Sequence, residues 1–293
     1  TLSCNITRKA VTYKADDASK AYDGSALTKN TATKTDGDLV SGHTATFSIS
    51  GTITNAGTAT NTLSSVTIKN SSNTDVTSNY NITKQNGTLT VTRAKTATKG
   101  SCANPTYNGS AQTLASGGAN VDYTNNSATD YKTSGSYTVT VTPKSNYAWS
   151  DGTYAADTLS CNITRKAVTY KADDASKVYD GSALTKSTAT KTAGDLVSGH
   201  TATFSISGTI TNVGTATNTL SSVTIKNSSN TDVTSNYNIT KNNGTLTVTR
   251  AKTATKGSCA NPTYNGSSQD LVTHGTGVTY SGNNQTNYKT DGN

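Results

Sequence analysis

The sequence predicts an all-β protein, a linear tandem array of small sandwich modules of two alternating types. Three observations carry this. Thr1-Leu-Ser-Cys4 recurs as Thr158-Leu-Ser-Cys161, and at that offset of 157 residues positions 1–110 match 158–267 with five substitutions, Ala21/Val178, Asn30/Ser187, Asp36/Ala193, Ala56/Val213 and Gln85/Asn242. A repeat that close turns one protein into an array. Thr, Ser, Asn and Gly dominate, with no Glu, no Met, one Trp and three Pro; Thr is a β-branched strand former and the others supply turns. Only 31% of the 293 residues are apolar, so one large core is excluded and several domains of roughly 70–90 residues fit better.

Taken in order, residues 1–9 read as the closing strand of a B-type module, and 10–92 form the first A module. Val11-Thr-Tyr-Lys14 starts a strand and Tyr22-Asp23-Gly24 marks a turn. His43–Ser50 alternates with Ala45, Phe47 and Ile49 on one face, as a half-buried strand does. Leu63–Ile68 is a further strand. Asn86-Gly87 lies between Tyr80–Lys84 and Thr88–Thr92 and reads as a two-residue hairpin turn. No segment holds helical spacing of apolar residues.

Module B follows over 93–166, with a middle strand at Ser136–Pro143, an aromatic-bearing turn at Asn146-Tyr147-Ala-Trp149, and a closing strand through Leu159–Ile163. A second A module occupies 167–249, and 250–293 begin a second B. Arg93-Ala-Lys, Arg165-Lys-Ala and Arg250-Ala-Lys serve as short linkers. Because the chain opens and closes inside a repeat, it reads as a window on a longer polypeptide. Identity collapses between 111–136 and 268–293, which makes that stretch the place to look for recognition beside simple drift of an exposed segment.

The A module, with Tyr22-Asp23-Gly24 and Tyr179-Asp180-Gly181, Gly37–His43, and Asp75–Ile82 followed by Asn86–Val91, resembles the YDG-type repeats of large bacterial cell-surface adhesins. Module B, with Tyr107-Asn-Gly109, Tyr137–Pro143 and Asn146–Thr153, resembles the immunoglobulin-like (MBG-like) repeats that accompany them. The resemblance implies immunoglobulin-like β-sandwiches displayed outside the cell in a stalk or adhesive fibre, with neighbouring copies of the repeat as partners and no catalytic residues to carry over.

Cys4, Cys102, Cys161 and Cys259 allow two repeating arrangements: Cys102–Cys161 closing module B, or Cys4–Cys102 and Cys161–Cys259 bracketing each A. Poles of a sandwich lie too far apart for cysteines whose Cα atoms must approach within about 7 Å. The first and last strands of an immunoglobulin-like sandwich run side by side, which favours Cys102–Cys161. Cys4 and Cys259 would then pair with partners outside this stretch. Such disulfides imply an oxidising, extracellular setting.

Catalytic and cofactor chemistry find little support. No Gly-x-Ser-x-Gly elbow is present, Ser41-Gly42-His43 reads as a solvated turn, and without Glu a carboxylate pair falls to Asp16-Asp17 and its repeat Asp173-Asp174. His43, His200 and His274 fall in no metal-ligand spacing and no C-x-x-C occurs, so no metal and no cofactor is expected and the chain reads as not an enzyme. The net charge of +8 is scattered without a basic run, and 14% charged residues is low for a nucleic-acid binder. No apolar run reaches the ~18–20 residues that span a bilayer. Tyr123, Tyr131, Tyr147 and Trp149 remain as candidate aromatic contacts to a glycan or a partner protein, weighed against a core role for Trp149.

Overall fold

The computed structural model describes residues 2–132 and 136–287. The chain is all-β; its helical content among these residues is two single 3₁₀ turns, Thr77–Asn79 and Thr234–Asn236. It divides into two compact units, Thr1–Thr164 and Arg165–Asn293.

In the first unit, seven strands build a pair of facing sheets: β1 (Lys9–Ala15), β2 (Ala18–Ala21), β3 (Ala32–Gly37), β4 (Thr44–Ser50), β5 (Gly57–Lys69), β6 (Tyr80–Gln85) and β7 (Gly87–Thr92). One sheet has the order β3-β1-β6 and the other β2-β7-β5-β4. Alternation drives the packing. Val11, Tyr13 and Ala15 of β1 meet Leu63, Val66 and Ile68 of β5, with Ala45, Phe47 and Ile49 of β4 covering the same core. The Tyr13 and Phe47 rings lie 5.0 Å apart. Leu63–Ile68 belongs to a single long strand, whose alternation slips at Ser64 where a bulge shifts the β4–β5 register between Ser48/Ile49.

The Asn86-Gly87 hairpin does not form. β6 and β7 lie in different sheets, and Gly87 is not among the glycines with positive φ. A Cβ on Gly87 would stand 2.4 Å from the Ala15 carbonyl oxygen and 2.8 Å from that of Asp16. Glycine is needed here for close backbone approach, at the corner where the chain changes sheet, instead of for turn dihedrals. Asn86 Oδ1 accepts the Leu63 amide (3.1 Å), a tertiary bond that a hairpin turn would not make.

Seven short strands follow: β8 (Ser101–Cys102), β9 (Gln112–Thr113), β10 (Ala115–Ser116), β11 (Val121–Thr124), β12 (Ser127–Ala128), β13 (Tyr137–Pro143) and β14 (Asp157–Cys161). They pair as β11-β13-β14, β10-β8 and β12-β9 around Leu114, Val139, Val141 and Ile163, all buried. Residues 2–8, where a closing strand is expected, carry no strand; Leu2 and Ile6 are fully exposed.

The second unit repeats the seven-strand arrangement with β15 (Lys166–Ala172), β16 (Ala175–Val178), β17 (Ala189–Ala193), β18 (Thr201–Ser207), β19 (Gly214–Lys226), β20 (Tyr237–Asn242) and β21 (Gly244–Thr249). Beyond it lie β22 (Ser258–Cys259), β23 (Gln269–Asp270), β24 (Val272–Thr273) and β25 (Asn284–Gln285), paired β22-β24 and β23-β25.

Candidate functional site

The first and last strands of the seven-strand body run parallel and side by side. β1 pairs with β6 from Lys9↔Tyr80 to Lys14↔Gln85, and β2 pairs with β7 from Ala18↔Leu89 to Ala21↔Thr92. The two strand pairs change sheet together, β1 to β2 at Asp16-Asp17 and β6 to β7 at Asn86-Gly87. The acidic pair holds that corner. Asp16 accepts the Thr31 and Thr33 hydroxyls, the latter at 2.7 Å, and Asp17 accepts Lys14 Nζ and the Thr88 amide, each at 2.7 Å. These bonds stabilise the ionised form and hold both carboxyls below the usual carboxylate range. With the oxygens so used, the pair is a structural corner instead of a cation site. Among the described residues no cluster of three or more His, Cys or Asp could hold a metal ion.

Asn61 is fully buried behind the corner. Its Nδ2 donates to the carbonyls of Asp16 (3.0 Å) and Lys29 (2.9 Å), while Oδ1 finds no protein partner; Asn218 repeats this arrangement. Tyr22-Asp23-Gly24 is also a structural turn. Asp23 Oδ1 accepts Lys20 Nζ (2.7 Å) and the Ser25 amide (2.9 Å), and Gly24 takes φ +82°. Ser41-Gly42-His43 caps a core residue: Tyr80 Oη accepts the Val40 amide (3.0 Å) and is hydrogen bonded to His43 Nδ1 (2.8 Å).

In the second half of unit 1, Cys102 and Cys161 form a disulfide across β8 and β14, with Cα atoms 5.3 Å apart and 59 residues of sequence separation. Cys4 and Cys259 are exposed free thiols. The segment entering this half pairs in parallel at Ala94↔Tyr147, and the segment leaving it pairs in parallel at Thr106↔Thr164.

The two halves of unit 1 are joined by the 145–147 turn. Asn146 Oδ1 accepts the Ala56 amide (2.9 Å) and its Nδ2 donates to Asn55 Oδ1 (3.0 Å). Arg93 Nε donates to the Ser145 carbonyl (3.0 Å), and Tyr147 meets Tyr22 edge-on at 5.5 Å. Beside this joint opens a cleft of about 550 Å³ whose lining includes Thr58, Thr90, Thr92, Arg93, Lys95 and Tyr154. A second open cleft of about 510 Å³ runs past Trp149 and Lys99.

Of the four candidate aromatics, Tyr123, Tyr147 and Trp149 pack on one core cluster of Ala97, Val121 and Val141. Tyr123 Oη donates to the Lys99 carbonyl (2.8 Å) and accepts the Gly118 amide (2.9 Å). Trp149 Nε1 donates to the Ala155 carbonyl (2.9 Å). Tyr131 is partly buried and lies apart from that cluster. The diverged stretch 111–136 supplies β9 to β12, with 133–135 outside the described residues, as are 288–293 of its counterpart. Within it the Gly118–Tyr123 anchor recurs, because Tyr280 Oη accepts the Gly275 amide (3.0 Å). Sequence reasoning missed this anchor and the bridging role of Asn146; the pairing of Gly118/Gly275 with Tyr123/Tyr280 at the repeat offset was the available signal.

No protein-family model and no curated protein matches the sequence. Among matching solved structures is SGBP-B of the mixed-linkage glucan utilization locus of Bacteroides ovatus, in complex with a mixed-linkage heptasaccharide. The identity is 15%, over 84% of this chain and 68% of that one, with a TM-score of 0.16. A likeness that weak carries no argument about fold or function. The class defined by the fold is therefore an all-β repeat protein with one disulfide. Among the described residues, no helix is long and apolar enough to cross a membrane.

Proposed function

We propose that this chain is a load-bearing spacer from an extracellular stalk or fibre of YDG and MBG-like repeats, acting mechanically and not as an enzyme. The observation that carries the reading is the parallel pairing of terminal strands. Tension on a repeat pulls β1 backward and β7 forward. The β1–β6 and β2–β7 ladders are then loaded along their length, and all their hydrogen bonds must fail together instead of peeling one at a time. The second copy has the same parallel pairs, β15 with β20 and β16 with β21.

In the 93–164 half, force passing through Cys102–Cys161 bypasses the residues between them. Neighbouring copies of the repeat are the partners in this reading, and the disulfide accords with an oxidising compartment outside the cell.

Stretching single chains between their ends tests the proposal. Breaking the disulfide releases 59 residues of separation, so reductant should add roughly 200 Å of contour length per chain. An unchanged contour length removes the clamp from the account.

A second reading, adhesion through 111–136 and 268–293 to a glycan or protein, is favoured by the divergence of these stretches beside near-identical repeats. Retained binding on a glycan array, lost when 111–132 is replaced by its counterpart, would support it.

A further inference from the structure

We infer that the cleft at the joint in unit 1 is a binding site for an acidic saccharide, one bearing carboxylate or sulfate groups. Its wall carries two cations, Arg93 and Lys95; neither forms a direct ion pair among the described residues, although Lys95 attracts the Asp151 carboxylate at longer range. Like charges in a concave site with low-dielectric walls focus their field on an anion.

Arg93 is held in place. Arg93 Nε is fixed by the Ser145 carbonyl, and its guanidinium lies 3.9 Å over the Tyr154 ring. A planar fork held by stacking loses little entropy on meeting a carboxylate or sulfate. The Lys95 side chain passes over Gly152, where a Cβ would come within 3.1 Å of Nζ; Gly152 has φ +89°, a conformation that favours glycine.

The remaining lining selects the ligand class. Tyr154 is 58% exposed, a large aromatic left open beside the cations. With one face under Arg93, the rest of the ring is available to the C–H face of a sugar. Thr58, Thr90 and Thr92 also line the cleft; the Thr92 hydroxyl donates to the Lys20 carbonyl, and those of Thr58 and Thr90 suit sugar hydroxyls better than the apolar anchors of a peptide. The volume of about 550 Å³ falls within the ordinary range of small-ligand sites, and domain joints are a common place for them. Two cations without a basic run argue against nucleic acid, whose binding spreads over many phosphate contacts. The inference does not depend on the load-bearing reading.

Calorimetric titration of the whole chain tests it with three probes: tetragalacturonate (carboxylated), a κ-carrageenan tetrasaccharide (sulfated) and neutral cellotetraose. At least one acidic probe should bind, less tightly as salt is raised, with cellotetraose about tenfold weaker or worse. Lys95→Gln should weaken acidic binding about tenfold. Lys95 makes no side-chain hydrogen bond or direct ion pair among the described residues and attracts Asp151 only at longer range, so this variant should keep the parent's thermal melt, which is read alongside the titration. Tyr154→Ala should weaken whichever acidic probe binds as well. The inference is overturned if neither acidic probe binds, if Lys95→Gln binds as the parent does, or if cellotetraose binds equally well.

Discussion

Gly87 and Asn61 hold the corner at which the terminal strand pairs change sheet, and each makes a separate prediction. A methyl group at position 87 would overlap the Ala15 and Asp16 carbonyl oxygens. Gly87→Ala should therefore cost about 2–3 kcal/mol, read as a lowered urea midpoint for unit 1. Asn61→Ala strips the Asp16 and Lys29 carbonyls of their donor and should cost about 2–3 kcal/mol by the same measurement.

The aspartates set the acid limit. Asp16 is lowered first by the Thr31 and then the Thr33 hydroxyl; Asp17 by Lys14 and the Thr88 amide; Asp23 by Lys20 and the Ser25 amide. Carboxyls depressed in the folded state add stability above their unfolded pKa, and this is lost as pH falls through the folded value. Thermal melts should be level from about pH 5 to 7 and fall below about pH 4. Asp16→Asn should make that fall shallower; an unchanged acid limb would contradict this.

Among the elements, those governed by local alternation were the legible ones. β4 and β13 follow the Ala45/Phe47/Ile49 and Val139/Val141 patterns closely, because a strand with one buried face writes that face into every second residue. The β6–β7 corner was illegible because Asn-Gly is a local turn signal, while its outcome is set by β1 passing against Gly87 from more than seventy residues away in sequence. Parallel pairing of β1 with β6 likewise has no local signature. The joint and its cleft draw on Thr58, Arg93 and Tyr154, which no spacing rule links. The aromatic set was readable as a group but not by role, since Trp149 and Tyr123 spend their polar atoms on backbone carbonyls.

Two predictions belong at the scale of elements. Closing a loop of this length stabilises by about 4 kcal/mol in the chain-entropy model, so Cys161→Ser should lower the stability of 93–164 by about that amount and leave 9–92 near its original value. Exchange protection of amides in the two halves reads this directly. Asn146→Ala removes both bonds to Asn55 and Ala56. Spin labels at positions 46 and 138, in a background with Cys4→Ser and Cys259→Ser, should report a broader distance distribution; an unchanged width would show that Asn146 does not fix the joint.

For the whole molecule, near-perfect duplication preserves features that would otherwise look incidental: the acidic corner at Asp173-Asp174, the buried Asn218, and the close-packed Gly244 all recur. Each is a device for holding terminal strands in parallel register. The central claim is that these ladders resist force along the chain. Forced unfolding follows the unfolding barrier instead of the equilibrium stability, so the two can be separated. The direct measurement is end-to-end stretching of the chain carrying Thr12→Gly in β1 or Thr46→Gly in β4, each matched by its equivalent in the second copy, Thr169→Gly or Thr203→Gly. The account predicts a clear drop in unfolding force for the β1 pair and little change for the β4 pair, whose strand lies off the load path. Equal drops, or a larger drop from β4, would contradict it.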